Sequence, residues 1–379
     1  MNINICCACL ISLCLFSSCG APSEKGKTTE EEQETVPVEW LTLQGAKEIH
    51  KGKKIVLVSG DEEYRSEEAL PQIAKILSKH HGFDCVVLFA QDPAVPGIVD
   101  ANYTGNIPGL ENLQDADLMF LFTRFRNPPD EQMHHFENFL LAGKPIIAIR
   151  TATHAFNFKD TTHTWKHWGN YYKGEKEEWE GGFGLNILGV KWYNHHGHHK
   201  HQSTRGIFAD GANGNALLNG IEDGSIWGPT DVYGMPLPMP GDATPLVLGR
   251  VINRPGDYDE ADLFFGMKPT DNEIATADPD RNNGVDPNDP MMPIVWTKSY
   301  QLESGKKGQV FASTIGSSTD LMNEELRRLF VNASYDLLKL KVPGKAKVDI
   351  VGTYETTQFQ FHDDEYWEKR NINIADLQQ

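Results

Sequence analysis

Apolar residues in this chain fall into short, nearly unbroken runs, with polar stretches of helical spacing between them. The runs at 53–58, 84–90, 116–122 and 145–150 are too short for helices and apolar at consecutive positions. That is the pattern of strands covered on both faces in a parallel sheet. Ser66 with Glu68 opens an amphipathic stretch over 69–80, and Pro128-Pro129 opens another over 130–142. Strands alternating with helices predict an α/β fold, a flavodoxin-like doubly wound parallel sheet with loop-rich insertions. A short helix is expected over 40–49 and short strands with turns over 204–250. Residues 293–298 and 309–315 read as an antiparallel pair or an edge, and 323–338 as a closing helix. The folded domain is placed at 39–342, and the polar tail 343–379, with its isolated aromatics, is expected to wrap it in extended form.

Polar residues begin abruptly where the strands end, and in open α/β sheets that edge is where ligands bind. After the first strand come Asp61, Glu62, Glu63, Tyr64 and Arg65; after the third, Arg124 and Arg126; after the fourth, Arg150, Thr151 and His154. Two readings stand for these groups. The arginines and carboxylates either orient a polyhydroxyl or anionic ligand, with Asp61, Glu62, Tyr64, Arg65, Arg124, Arg126 and Thr151 in contact with it, or neutralise one another. The acidic loop also suits the positive end of the following helix dipole.

Farther along, Trp165, His167, Trp168, Tyr171, Tyr172 and Trp179 are interleaved with charged residues. Aromatic rings of this density either stack on sugar rings, with Trp165 the representative candidate, or close a small core over the sheet. The run Tyr193-Asn194-His195-His196-Gly197-His198-His199-Lys200-His201 is the densest concentration of imidazole. On an extended strand His196 and His198 share one face and His195, His199 and His201 the other. A divalent metal, zinc or similar, on His195, His196 and His198 is one expectation, with His154 or Asp231 completing the set. Without metal, His195 or His196 remains a candidate for proton transfer. The acidic insertion 253–290 contains a calcium-like loop at 278–284 that lacks the EF-hand glycine and bidentate glutamate.

Composition removes several classes. A formal charge of −18 opposes a nucleic-acid partner. No Gly-x-Gly-x-x-Gly and no P-loop follows any strand, so no nucleotide cofactor is indicated. Cys6, Cys7, Cys9, Cys14 and Cys19 crowd the start and only Cys85 lies beyond, leaving no disulfide framework or cysteine zinc site. Residues 1–18 read as an export signal, and Phe16-Ser17-Ser18-Cys19-Gly20 resembles a bacterial lipoprotein box despite an n-region without Lys or Arg. Lipidation at Cys19 would tie the protein to the bacterial cell envelope through a flexible tether at 19–38; the alternative is an ordinary cleaved signal.

Several blocks together carry a family resemblance. They are Leu57-Val58-Ser59-Gly60-Asp61-Glu62-Glu63-Tyr64-Arg65, Ala148-Ile149-Arg150-Thr151-Ala152-Thr153-His154, Asn194-His195-His196-Gly197, Asp231-Val232-Tyr233, Pro293-Ile294-Val295-Trp296-Thr297-Lys298 and Gly308-Gln309-Val310-Phe311-Ala312-Ser313-Thr314-Ile315-Gly316. In this order they resemble the ThuA-like (trehalose utilisation) family, similar in fold to class I glutamine amidotransferases. The resemblance implies a sugar or 3-keto-glycoside substrate and isomerisation or glycosidic cleavage, with Arg150, His154, His195, His196 and Asp231 as catalytic candidates and Tyr233 at the substrate. It also excludes amidotransfer: the nucleophile elbow holds Arg150 where those enzymes carry cysteine. Relatives often end the last strand in Gly-His, whereas this chain has Gly316-Ser317-Ser318. The alternative is a carbohydrate-binding lipoprotein without catalysis.

Overall fold

Ile55 and Leu57 point to one side of their strand and Val56 and Val58 to the other, and both sides are buried. The first pair joins a cluster with Leu70, Ile73 and Leu77 of α1 (Ser66–His81) and Leu329 and Phe330 of α3 (Glu324–Leu337). The second joins Met119, Leu121 and Met133, Phe136 and Leu140 of α2 (Asp130–Leu141). Helices on both faces explain why these strands lack a polar alternation. Each such side chain contributes about 2 kcal/mol on transfer from water.

The computed structural model describes residues 37–46, 48–50, 52–280 and 284–378. Its strands are β1 (Trp40–Leu43), β2 (Lys54–Gly60), β3 (Asp84–Phe89), β4 (Leu118–Thr123), β5 (Ile146–Ile149), β6 (Gln202–Phe208), β7 (Trp227–Gly228), β8 (Thr244–Asn253), β9 (Met292–Tyr300) and β10 (Gly308–Ser313). They form one sheet in the order β1-β3-β2-β4-β5-β10-β9-β8-β6-β7. The run β3-β2-β4-β5-β10 is parallel throughout. Counted along the chain this is the flavodoxin-type order, and its switch point lies between β2 and β4. The loops carrying Asp61–Arg65 and Arg124–Arg126 therefore flank the crevice that this topology opens.

Three expectations change. Residues 40–49 do not form a helix: β1 pairs antiparallel with β3, and only Glu48–His50 makes a helical turn. Leu41 is buried and Thr42 exposed, a period of two suited to covering the edge of β3. The pair β9–β10 is antiparallel as expected but is not an edge. Here β10 adds parallel to β5, and β9, β8, β6 and β7 continue the sheet antiparallel beyond it. The tail forms neither helix nor strand up to residue 363 and then makes α4 (Asp364–Arg370), with Asp363 accepting from the Tyr366 amide as N-cap. The signal, the lipidation at Cys19 and the tether through residue 36 lie outside the described residues, as do residues 281–283 of the calcium-like loop. Among the described residues no helix is long and apolar enough to cross a membrane.

Candidate functional site

Three non-glycine residues at the carboxyl edge have left-handed backbones: Arg65 after β2 (φ 60), Phe125 after β4 (φ 49) and Arg150 after β5 (φ 43). Such geometry costs about 1–3 kcal/mol per residue and concentrates where a loop must turn sharply to aim a side chain. At Arg150 the turn sends the guanidinium beneath the edge. It donates from Nη1 to the carbonyls of Thr314 (2.6 Å) and Asp231 (3.1 Å) and from Nη2 to Asp231 Oδ1 (3.0 Å). Its two faces lie over the rings of Tyr64 (4.0 Å) and Tyr233 (4.3 Å). The group is fully buried. Burial works against its charge, but the two tyrosines, Asp231 and Asp320 outweigh that and raise its pKa well above the ordinary value.

Asp231 is the hub. Its Oδ2 faces Nδ1 of His195 (2.8 Å) and its Oδ1 faces Nδ1 of His199 (3.0 Å) as well as Arg150. The chain reaches this arrangement through a bridge between His195 and Tyr233, reinforced by the amides of His196 (2.9 Å) and Gly197 (3.0 Å) donating to the Val232 carbonyl. A Cβ at Gly234 would lie 2.0 Å from Asn194 Oδ1, so any larger residue would turn that exposed side chain aside. On the other flank Thr230 Oγ1 donates to Asp320 (2.8 Å), which also accepts from the amides of Gly316 and Ser317. Burial alone would raise the Asp231 pKa; its hydrogen bonds to both histidines and the Arg150 charge instead hold it far below the usual carboxylate range.

The two imidazoles on this carboxylate are tuned in opposite directions. At His195, burial depresses the pKa, but the Asp231 hydrogen bond and charge overcome it and the net shift is upward. At His199, burial dominates and the net shift is downward despite the same partner. The side chain of His195 is 37% exposed, with its Nδ1 held by Asp231. His199 is more enclosed and its Nε2 lies 3.5 Å from Glu63 Oε1. The other oxygen of Glu63 lies 3.6 Å from Arg124 Nε. Burial, then the Asp61 charge, pushes the Glu63 carboxyl up to about 7.

The remaining expected residues divide between site and scaffold. Asp61 accepts from the amides of Glu63 (2.8 Å) and Tyr64 and from Thr151 Oγ1, so it and Thr151 shape the loop. Glu62 is clamped by Arg124 and Arg126. Arg126 is fully buried, with Nη1 on the carbonyls of Ala101 (2.8 Å) and Tyr103 (3.0 Å), and cannot reach a ligand. Arg65 is equally buried and holds the C-terminal tail. Only Arg124 keeps access to solvent, between the rings of Phe125 (4.8 Å) and Phe361 (4.6 Å). His154 is buried against Phe125 (4.9 Å) and Trp192 (5.5 Å); burial and the nearby arginines hold its pKa well below the ordinary value, so it is a neutral packing group. Trp165 belongs to the small-core reading: it is buried with Phe156, Trp168 and Phe183 and meets His134 edge-on at 4.6 Å. Tyr171, exposed and stacked on Phe125 at 5.7 Å, is with Phe361 an aromatic ring open at this edge.

The expected metal set does not assemble. Residues 195–201 form a bridge and a turn rather than a strand. His196 Nε2 faces the Pro287 carbonyl (2.9 Å) and His198 stacks on His201 (3.9 Å). Among the described residues the group spaced for an ion is His195, His199 and Asp231, with one ligand atom each within 4.8 Å of the others. In that group both Nδ1 atoms and both carboxylate oxygens already face one another, and Arg150 supplies the positive charge an ion would bring. As placed, Arg150, Asp231 and the two imidazoles form a hydrogen-bonded relay.

Sequence reasoning left Glu63 and Phe359 out of the site and gave His199 only a place on a strand face. Glu63 was visible as the third carboxylate of its loop, and His199 follows His195 by one turn. Phe359 carried no local signal.

No family model and no curated protein matches the chain. Among solved structures, a protein from Bacteroides uniformis ATCC 8492 whose name calls it ThuA-like is 14% identical. The alignment covers 76% of this chain and 92% of that one, with a TM-score of 0.43. Another so named, from Parabacteroides merdae ATCC 43184, is 12% identical over 83% of this chain and 98% of that one, with a TM-score of 0.44. Superpositions this loose carry no weight for residue roles or family membership.

Proposed function

We propose that the protein acts on a small carbohydrate, a sugar or 3-keto-glycoside, by acid–base chemistry centred on His195. The observation that carries this reading is the anchored, partly exposed imidazole: Nδ1 on buried Asp231 at 2.8 Å, with the side chain 37% exposed. A carboxylate behind Nδ1 fixes the tautomer, so that the other nitrogen both accepts and returns a proton. A 3-keto sugar carries an acidic C–H at C2. Its removal gives an enolate that leads to 2-keto isomerisation or to loss of the substituent at C1, so one base serves both outcomes. Arg124 is the accessible cation suited to the developing oxyanion, and Tyr171 offers an apolar face to a sugar ring.

Export on a lipid anchor at Cys19 is compatible with this role and is part of the proposal. A second reading, carbohydrate capture without chemistry, draws on the exposed rings of Tyr171 and Phe361. Incubating the purified protein with glucosides and their 3-keto derivatives separates the two. Turnover lost in His195→Gln supports the enzyme; binding without turnover in either protein supports capture.

A further inference from the structure

The C-terminal tail reaches into the site. The Phe359 ring is fully buried, stacked on Tyr64 at 5.6 Å and set at 65° to His199 at 5.4 Å. Tyr64 in turn carries Arg150 on its face, so Phe359 supports two of the groups that bear on Asp231. The backbone around it is fixed from both sides. Arg65 donates to the carbonyls of Gln358 (3.1 Å) and Gln360 (2.9 Å). Glu68 accepts from the Thr357 amide (2.9 Å) and hydroxyl (2.7 Å), and Gln358 Nε2 donates to the carbonyls of Glu260 (2.7 Å) and Asp262 (2.5 Å). A strap that only covered surface would not need a buried arginine holding the carbonyls that flank Phe359 in sequence. Phe361, two residues on, is exposed beside Arg124, so the strap buries one ring under the histidines and leaves the next at the rim.

We propose that Phe359 is a positioning residue for His199. A histidine ring turns about two single bonds, and hydrogen bonds at its nitrogens fix its plane only while its flanks are filled. The His199 ring packs against His195 (4.8 Å) and Tyr64 (6.2 Å), and Phe359 fills a further side at 5.4 Å. With that side filled, Nδ1 stays on Asp231 and Nε2 stays toward Glu63. The inference deepens the functional reading above and rests on it only for the consequence to turnover; the packing claim stands by itself.

The test uses the full chain with Phe359→Ala, Phe359→Leu and, as control, Phe361→Ala. Long-range proton–nitrogen correlation spectra report the tautomer of each imidazole. The wild type and Phe361→Ala are expected to show His199 with its proton on Nδ1. In Phe359→Ala the His199 signals should move toward the average of the two tautomers, and in Phe359→Leu less far, while the His154 signals stay in place as the reporter of an intact fold. Where a substrate is in hand, kcat should fall about tenfold or more in Phe359→Ala with KM little changed, and Phe359→Leu should recover part of it. Should Phe359→Ala fail to fold, Phe359→Leu alone decides. His199 signals identical to wild type in the folded variants overturn the proposal. Absence of turnover on any saccharide, with the tautomer shift present, instead counts against the functional reading and leaves the positioning role standing.

Discussion

Replacing Glu63 by glutamine should change how stability depends on pH, in a direction opposite to that of most carboxylates. The native carboxyl, pushed up by burial and by Asp61, holds its proton to about 7, against 4.5 for the free group. Between those values the native protein binds more protons than the unfolded chain, so stability falls as pH rises. At about 1.4 kcal/mol per pH unit the loss comes to about 3 kcal/mol once both states are ionised. Glutamine keeps the shape and cannot ionise. The variant should match the wild type near pH 4 and exceed it by about 3 kcal/mol at pH 8. Urea unfolding of both proteins at intervals across that range measures the difference. Glu67, also raised to about 7, gives the same slope in both proteins and cancels. Parallel curves, or a variant whose advantage over the wild type shrinks as pH rises, would refute the reasoning that burial dominates at Glu63.

Two further outcomes follow from the same geometry. Arg150→Met leaves Asp231 buried without its guanidinium and should cost about 3–5 kcal/mol in urea unfolding at pH 7; a loss below about 1 kcal/mol would mean the pair does not hold the site. Elemental analysis of protein purified without a histidine tag should find no stoichiometric transition metal, and chelator treatment should leave the unfolding midpoint unchanged. One zinc per chain would replace the relay by a coordination sphere at His195, His199 and Asp231.

The parallel half of the sheet was legible because strands covered on both faces announce themselves as unbroken apolar runs, as at Leu118–Thr123. The antiparallel half was less so: in Gln202–Phe208 burial is irregular, and partner and register depend on residues far along the chain. Polar loops at strand ends placed Arg150 and Tyr64 near one edge and the family resemblance added Asp231, yet neither could say which guanidinium stays wet. Burial separated them: Arg126 and Arg65 look like Arg124 in sequence, but backbone carbonyls enclose them. The histidine run misled because alternation holds only on a strand, and the Val232 carbonyl draws the His196 and Gly197 amides into a turn that brings His199 beside His195. The contribution of Phe359 was invisible because its contact with Tyr64 spans most of the domain.

The central claim is that Nε2 of His195, whose ring is anchored through Asp231, moves a proton on a carbohydrate. Incubation with a 3-keto-glucoside in heavy water, followed by mass and proton spectra of recovered substrate and product, tests it directly. The account predicts deuterium at C2 with the wild type and a rate lower by about 100-fold or more with His195→Gln. No incorporation with the wild type, or equal incorporation with the variant, would contradict it.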